Sequence, residues 1–363
     1  MNIGIPKERR PFEFRVGLTP SAVQLLVREG HKCYVEHEAG LGVGYSDREY
    51  EQAGARIVYS GHEVFGRADL LTKVARPIHE ELEWLRPGIT LAGLLHLNSA
   101  RQDKIDLLLE KEINAVALEQ ITLDDGSLPI RHAMAQIGGQ MLSQIAARLL
   151  QNDAGGKGVL IGGAVGVPPA EIVIVGAGVV GTCATRAFMG MGAHVTVLDV
   201  NLKALQVIQD RYPGVVTMIS DEVNLANACV YADVLVGSVF LPGERAPIII
   251  TREMVRSMKP RSLIMDISID EGGCVETSRP TTHDHPTFIE EGVIHYCVPN
   301  IPGVVARTST HLLSNAAFPF IMEIANKGID AAIAENPAIE RGLNTYNGKM
   351  VHLSRYSPIG VEE

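Results

Sequence analysis

The stretch EIVIVGAGVVG, residues 171–181, narrows the folds open to this chain more than any other. A beta-branched run leads into three glycines, Gly176, Gly178 and Gly181, and a helix-forming segment, VVGTCATRAFMGMG, follows at once. The next apolar run, HVTVLDV, ends in Asp199, at the roughly 20-residue distance a dinucleotide-binding unit requires. Each residue has a physical task in that reading. Gly176 permits the tight turn, Gly178 lets a pyrophosphate approach the backbone, and Gly181 lets helix and strand pack closely. The helix start at Val179 and Val180 offers unpaired amides and a positive dipole end to the phosphates. The Asp199 carboxylate accepts from ribose hydroxyls and repels a 2′-phosphate, so the cofactor expected is NAD rather than NADP. The alternative is a structural glycine turn beside a solvated aspartate.

Alternation continues on both sides of this unit. NIGIP, KCYVE, LLTKVA and ITLAGLLH read as strands. Between them, Thr19-Pro20 caps a helix that Gly30 stops, and SDRE at Ser46–Glu49 is a capping box. HAMAQIGGQMLSQIAARLLQ reads as one long helix, followed by a glycine-rich linker. The last sixty or so residues read as helical with a short polar tail. The expected fold class is α/β: two doubly wound Rossmann-like domains with a cleft between them. Residues 1–132 and 305–363 would form the substrate domain, and 133–304 the NAD-binding domain.

Composition excludes several classes. A net charge of −10 argues against a nucleic-acid partner. No apolar run reaches the roughly 18 residues of a membrane span. MNIGIPKERRPFEF lacks the apolar core of an export signal, so a cytoplasmic location is expected. Five scattered cysteines suit a reducing compartment. Neither His283 and His285 nor His295 beside Cys297 has zinc-site spacing, so no metal is expected.

Polar residues fall where parallel strands present ligands, just past their carboxyl ends. Asp270 follows one strand, Asn300 another and His96 a third, while Arg15 lies in a loop before a helix. From these residues alone, the alternatives are a surface ion pair for Arg15, a satisfied core histidine for His96, a helix cap for Asp270 and a structural turn for Asn300.

IGIPKE, FRVGLTP, HEAGLGVGYSD, LLHL, GKGVLIGG, IVGAGVVG, DISIDEGGCVETSRPTTHDHPTF and GVIHYCVPNIPGVV run collinearly through nearly the whole chain. Together they resemble the alanine dehydrogenase family, which includes the NAD-binding subunit of proton-translocating transhydrogenase. The resemblance implies reversible oxidative deamination of L-alanine to pyruvate and ammonia with NAD, in a homo-oligomer, most often a hexamer. It implies that Arg15 pairs with the substrate carboxylate, for which a guanidinium fork is suited. His96 becomes the general acid and base, and Asp270 orients the amine beside the nicotinamide. Asn300 faces the nicotinamide region, and Val239 joins the cofactor contacts. Ser220 approaches the adenosine side with Lys203 flanking it, although a plain turn explains both nearly as well.

The sequence departs from the family on the substrate half. The family's catalytic lysine in KVKEP is Ala75 here, within TKVARP. Ala135 replaces a common serine, and Ala306 a proline. Lys73, two residues before Ala75 in a strand, would share its face, and its long stem is expected to reach partly toward the vacated place as a substrate contact. The departure keeps open a dehydrogenase for a different 2-oxo acid or amine, or a catalytically weak NAD-binding protein. A transhydrogenase-like subunit is disfavoured by the dehydrogenase-type GGCVE loop.

Cofactor choice rests on Asp199. NADH is expected to be preferred to NADPH by more than about tenfold, roughly 1.4 kcal/mol, and Asp199→Ala to narrow that gap. Equal initial rates with the two cofactors at low concentration would contradict it.

Overall fold

Strands β1 (Asn2–Ile5), β2 (Lys32–Glu36), β3 (Arg56–Val58), β4 (Leu70–Ala75), β5 (Thr90–Leu94) and β6 (Asn114–Ala117) alternate with helices through the first third of the chain. A second series follows: β7 (Glu171–Val175), β8 (His194–Asp199), β9 (Val216–Ile219), β10 (Val234–Gly237), β11 (Leu263–Asp266), β12 (Thr287–Glu290) and β13 (Val293–Tyr296). Two late strands, β14 (Leu343–Tyr346) and β15 (Lys349–Met350), complete the series. The computed structural model describes residues 1–241 and 245–353. The expected polar tail at 354–363 lies outside the described residues.

Among the described residues the chain divides into unit 1, Met1–Met134 with residues 302–353, and unit 2, residues 135–301. In unit 1 the sheet order is β15-β14-β6-β5-β4-β1-β2-β3, and in unit 2 it is β12-β13-β11-β10-β7-β8-β9. Strands β1 to β6 pair in parallel, as do β7 to β11 and β13. Each sheet thus contains the doubly wound order 3-2-1-4-5-6, with its switch point between β1 and β4 or between β7 and β10.

Parallel strands are covered on both faces, and these read accordingly. Ile172, Val173 and Ile174 are fully buried, as are Val234, Leu235 and Val236 next to them. Each such aliphatic side chain stabilises by roughly 1.5–3 kcal/mol. The helices begin where the caps are. The Thr19 hydroxyl accepts from the Ala22 amide at the start of Pro20–Arg28, and Ser46 and Glu49 form the reciprocal capping box. The long helix Ala306–Lys327 returns to unit 1, where Leu313, Ala317, Ile321 and Ile324 pack in one core with Ile3, Ile5 and Val23.

The C-terminal segment is not helical throughout. β14 pairs antiparallel with β6, and β15 returns along it through Asn347 and Gly348 at φ 47° and 74°. Those angles are the two positive values of a type I′ hairpin turn, for which Asn-Gly is the preferred pair. The helical period of the preceding segment masked this short signal.

Unit 1 also buries a charge cluster. Lys73 Nζ lies 2.8 Å from Glu81 Oε1 and 3.2 Å from Glu8 Oε2, with all three side chains almost wholly enclosed. Arg9 joins it, pairing with Glu36 at 2.5 Å and reaching Glu81 at 3.5 Å. Burial pushes the Glu8 carboxyl above the usual carboxylate range, opposed by the Lys73 ammonium and further raised by Glu13 and Glu81. Removing one partner of a buried pair costs about 3–5 kcal/mol. Lys73→Met is therefore expected to lower unit 1 stability by about that amount, measured by urea unfolding. A wild-type midpoint in this variant would show that the cluster contributes little.

Candidate functional site

In unit 2 the glycine turn has the geometry of a phosphate cradle. Gly176 sits at φ 108°, and a Cβ there would lie 2.5 Å from the Ser238 carbonyl oxygen. A Cβ on Gly181 would lie 1.8 Å from the Gly176 carbonyl oxygen, so only glycine lets this helix start so close to the strand end. A Cβ on Gly178, by contrast, would meet nothing within 4 Å. That open side lies at the N-cap of the helix Val179–Gly190, where the first-turn amides of Val179 and Val180 have no intrahelical acceptors. These residues fit a dinucleotide pyrophosphate.

The remaining unit 2 candidates collect along the carboxyl ends of the same strands. Asp199 ends β8; its Oδ2 accepts from the Ala177 amide at 2.6 Å and its Oδ1 from the Asn201 amide at 2.7 Å. The carboxylate is thereby fixed against the glycine turn. Ser220 follows β9, its amide donating to the Asp199 carbonyl at 3.1 Å, and Lys203 lies exposed in the first turn of the helix Leu202–Arg211. Val239 follows β10, its amide donating to Ser268 Oγ at 2.9 Å. Asp270 is exposed in the short 3₁₀ turn Ile267–Glu271 after β11. Asn300 is exposed after β13 at φ 55°.

In unit 2, two supporting residues were not singled out from the sequence. Ser238 Oγ donates to the carbonyls of Val175 and Gly176 at 3.0 and 3.2 Å, tying β10 to the turn. Asp266, fully buried, accepts from the amides of Ser268, Cys274 and Val275 and so fixes the loop carrying Asp270. Burial raises its carboxyl above the usual range despite these bonds. An aspartate closing the apolar run SLIMD was the available signal, since such a group must be satisfied when buried.

In unit 1, His96 lies just past β5 with its side chain 49% exposed, so it is not a core histidine. Its backbone is left-handed, φ 43° and ψ 44°. Glu119, a buried carboxylate after β6, accepts from the Leu95 amide at 3.1 Å and the His96 amide at 2.6 Å. Glu119 Oε1 also lies 3.9 Å from the imidazole Nδ1. A lone glutamate at the end of NAVALEQ was its only trace in the sequence. Arg15 is buried, not a surface ion pair: Glu13 grips its Nε and Nη2 at 2.7 and 2.6 Å, and its Nη1 faces Met134 Sδ at 3.4 Å.

Lys73 does not serve the vacated place. Its ammonium is held in the cluster with Glu8 and Glu81. The shared-face argument fails because β4 carries a bulge: Thr72 pairs with Ala92 and Ala75 with Leu94, which leaves Lys73 and Val74 opposite the single Gly93. Gly93, opposite the bulge, is glycine because a Cβ would lie 2.8 Å from the Lys73 carbonyl oxygen.

Among the described residues, no group of three or more His, Cys, Asp and Glu is gathered as a metal site. His295 is satisfied by Thr277 Oγ at 2.7 Å and the Val293 carbonyl at 3.0 Å, and burial lowers its pKa.

Residues 4–138 match the family model described as "Alanine dehydrogenase/PNT, N-terminal domain", and residues 143–353 match "Alanine dehydrogenase/PNT, C-terminal domain". The chain belongs to the alanine dehydrogenase/PNT family. It is 48% identical over 354 residues to an alanine dehydrogenase of Methanococcus maripaludis, covering 97% of this chain and 95% of that protein. The solved structure of an L-alanine dehydrogenase superposes with a TM-score of 0.93 at 39% identity, over 97% of both chains. A transhydrogenase from Sinorhizobium meliloti superposes with a TM-score of 0.83 at 25% identity, covering 97% of this chain and 100% of that one.

The open side of Gly178 gives a direct test. Gly178→Ala is expected to leave unfolding nearly unchanged but weaken NADH binding by more than about tenfold, or 1.4 kcal/mol. Gly181→Ala is expected to destabilise unit 2 itself. NADH titration of Gly178→Ala at wild-type affinity would remove this turn from the cofactor site.

Proposed function

We propose that the protein is an NAD-dependent alanine dehydrogenase, converting L-alanine, NAD and water to pyruvate, ammonia and NADH. The observation that carries the reading is the half-exposed His96 imidazole, set at a strand end in a left-handed turn whose backbone amide is held by Glu119.

Bound NAD supplies the hydride acceptor. The chain's own residues supply binding and proton transfer. Arg15, oriented by its fork with Glu13, binds the substrate carboxylate. The Nδ1 of His96 lies on the Glu119 side, so its Nε2 exchanges the proton with the water that adds to the imine carbon. Asp270 holds the amine, and Asn300 closes the nicotinamide side. Gly176, Gly178, Val179, Val180 and Gly181 hold the pyrophosphate, Asp199 the ribose, and Lys203, Ser220 and Val239 the remainder of the dinucleotide.

Ala75 supports a second reading, a preference for a 2-oxo acid other than pyruvate. The family lysine's charge-assisted hydrogen bond is absent there, an interaction worth about 1.5–3 kcal/mol. Lys73 is too firmly paired to replace it. The smaller side chain also leaves room for a bulkier acid.

Assembly is proposed as a homohexamer. The segment after the long helix Pro129–Leu149 supports association, because its bridge between Ala164 and Val167 presents Leu160, Val165 and Val167 exposed. A monomeric mass by light scattering at micromolar concentration would overturn this. A cytoplasmic location is supported by five free cysteines. Among the described residues no helix is long and apolar enough to cross a membrane.

NADH absorbance, with pyruvate and ammonia run against a panel of 2-oxo acids and amines, tests the activity. His96→Ala is expected to lower turnover by about 10²- to 10⁴-fold with NADH affinity nearly unchanged; retained turnover would return His96 to a structural role. Ala75→Lys is expected to raise pyruvate amination by about ten- to 150-fold. If the unmodified protein already aminates pyruvate at the rate of Ala75→Lys, the missing lysine has no consequence.

A further inference from the structure

The bulge that separates Lys73 from Ala75 also determines where Arg76 goes. Arg76 Nη1 donates to the His96 carbonyl oxygen at 3.0 Å and to Ser99 Oγ at 3.4 Å. The same carbonyl receives the Ser99 hydroxyl at 3.0 Å and the Ser99 amide at 3.2 Å. Arg76 is itself anchored, its carbonyl accepting from Arg10 Nε at 3.0 Å. On the other side of His96, Glu119 takes the amides of Leu95 and His96. The histidine is thus held at its amide by a carboxylate and at its carbonyl by a guanidinium. Its φ of 43° is one that residues with a Cβ rarely adopt, and these bonds restrain the turn from both sides.

We infer that Arg76 is a positioning residue for His96, clamping the left-handed turn that sets the imidazole where a proton can be exchanged with substrate. The inference rests on the reading of His96 as acid and base for its catalytic consequence, but the clamp itself does not. A guanidinium stays charged at every working pH, so its bond to the carbonyl is charge-assisted throughout. The sequence carries Arg76 immediately after the alanine that replaces the family lysine. The bulge leaves the strand end free of strict alternation, so this side chain crosses to the end of β5.

The test uses the full chain, with Arg76→Met and Arg76→Lys compared at saturating NADH on the best substrate of the panel. Arg76→Met is expected to lower kcat by about ten- to hundredfold. KM for the acid and Kd for NADH should change by less than about threefold, since neither the carboxylate fork nor the cofactor turn is touched. Arg76→Lys, which keeps a cationic donor, is expected to recover part of the loss. Independently of turnover, hydrogen exchange of the amides at 97–101 should quicken by about tenfold or more in Arg76→Met and less in Arg76→Lys, with the global unfolding midpoint unchanged.

Unchanged exchange at 97–101 in Arg76→Met would overturn the clamp. So would a rise in KM for the acid at constant kcat, which would make Arg76 a substrate contact instead. If exchange quickens but turnover is insensitive to both Arg76→Met and His96→Ala, the clamp stands and the acid–base reading of His96 fails.

Discussion

A parallel sheet must be covered on both faces, because each strand presents apolar side chains to either side and its crossover helices lie over them. Water reaches such a sheet only at the strand ends. Both units of this chain obey that constraint, with β7 and β10 enclosed in one and β1 and β4 in the other. The polar residues available for chemistry are therefore concentrated at carboxyl ends, where amides and side chains remain unclaimed by the ladder. Asp199, Ser220, Val239, Asp270 and Asn300 occupy such ends in unit 2, and His96 does so in unit 1. The topology decides where chemistry can happen before any particular side chain is chosen.

Within that frame, both units satisfy buried charge in two ways, with amides and with cations. Unit 2 places Asp266 under three amides and pairs buried Asp233 with Lys157 and Lys259, while in unit 1 Glu119 accepts from two amides. Unit 1 gathers Glu8, Glu81, Glu36, Lys73 and Arg9 into a continuous network beside the switch point. The network removes Lys73 from solvent. In the same unit the Arg15 guanidinium is held in one orientation by both oxygens of Glu13.

Features dictated by local geometry were legible in the sequence. The glycine turn and its distant aspartate, the Thr19 cap and the Ser46–Glu49 box all appear where their patterns indicated. Features created by pairing between distant segments were not. The bulge in β4 exists only against β5, and its one sequence trace is Gly93 on the opposite strand. Glu119 acquires meaning only because β6 lies beside β5, which delivers its carboxylate to the amides of Leu95 and His96. The alternation rule that placed Lys73 beside Ala75 holds for an unbroken ladder, and this ladder is broken at that point. The terminal hairpin was legible through Asn347-Gly348 but was submerged in the helical pattern before it.

The bulge has a consequence for how such a protein can change over evolutionary time. A residue inside a regular ladder is committed to one face, and altering it disturbs both the core and the neighbouring strand. Residues 75 and 76 lie at the frayed side of the irregularity and are only half buried. Exchanges there leave the sheet intact, so mutations can accumulate at this rim without threatening the fold. The rim also borders the histidine. Drift that is nearly neutral for stability thus falls beside the histidine, whereas Gly176 and Gly181, where a Cβ would clash with backbone, are held fixed.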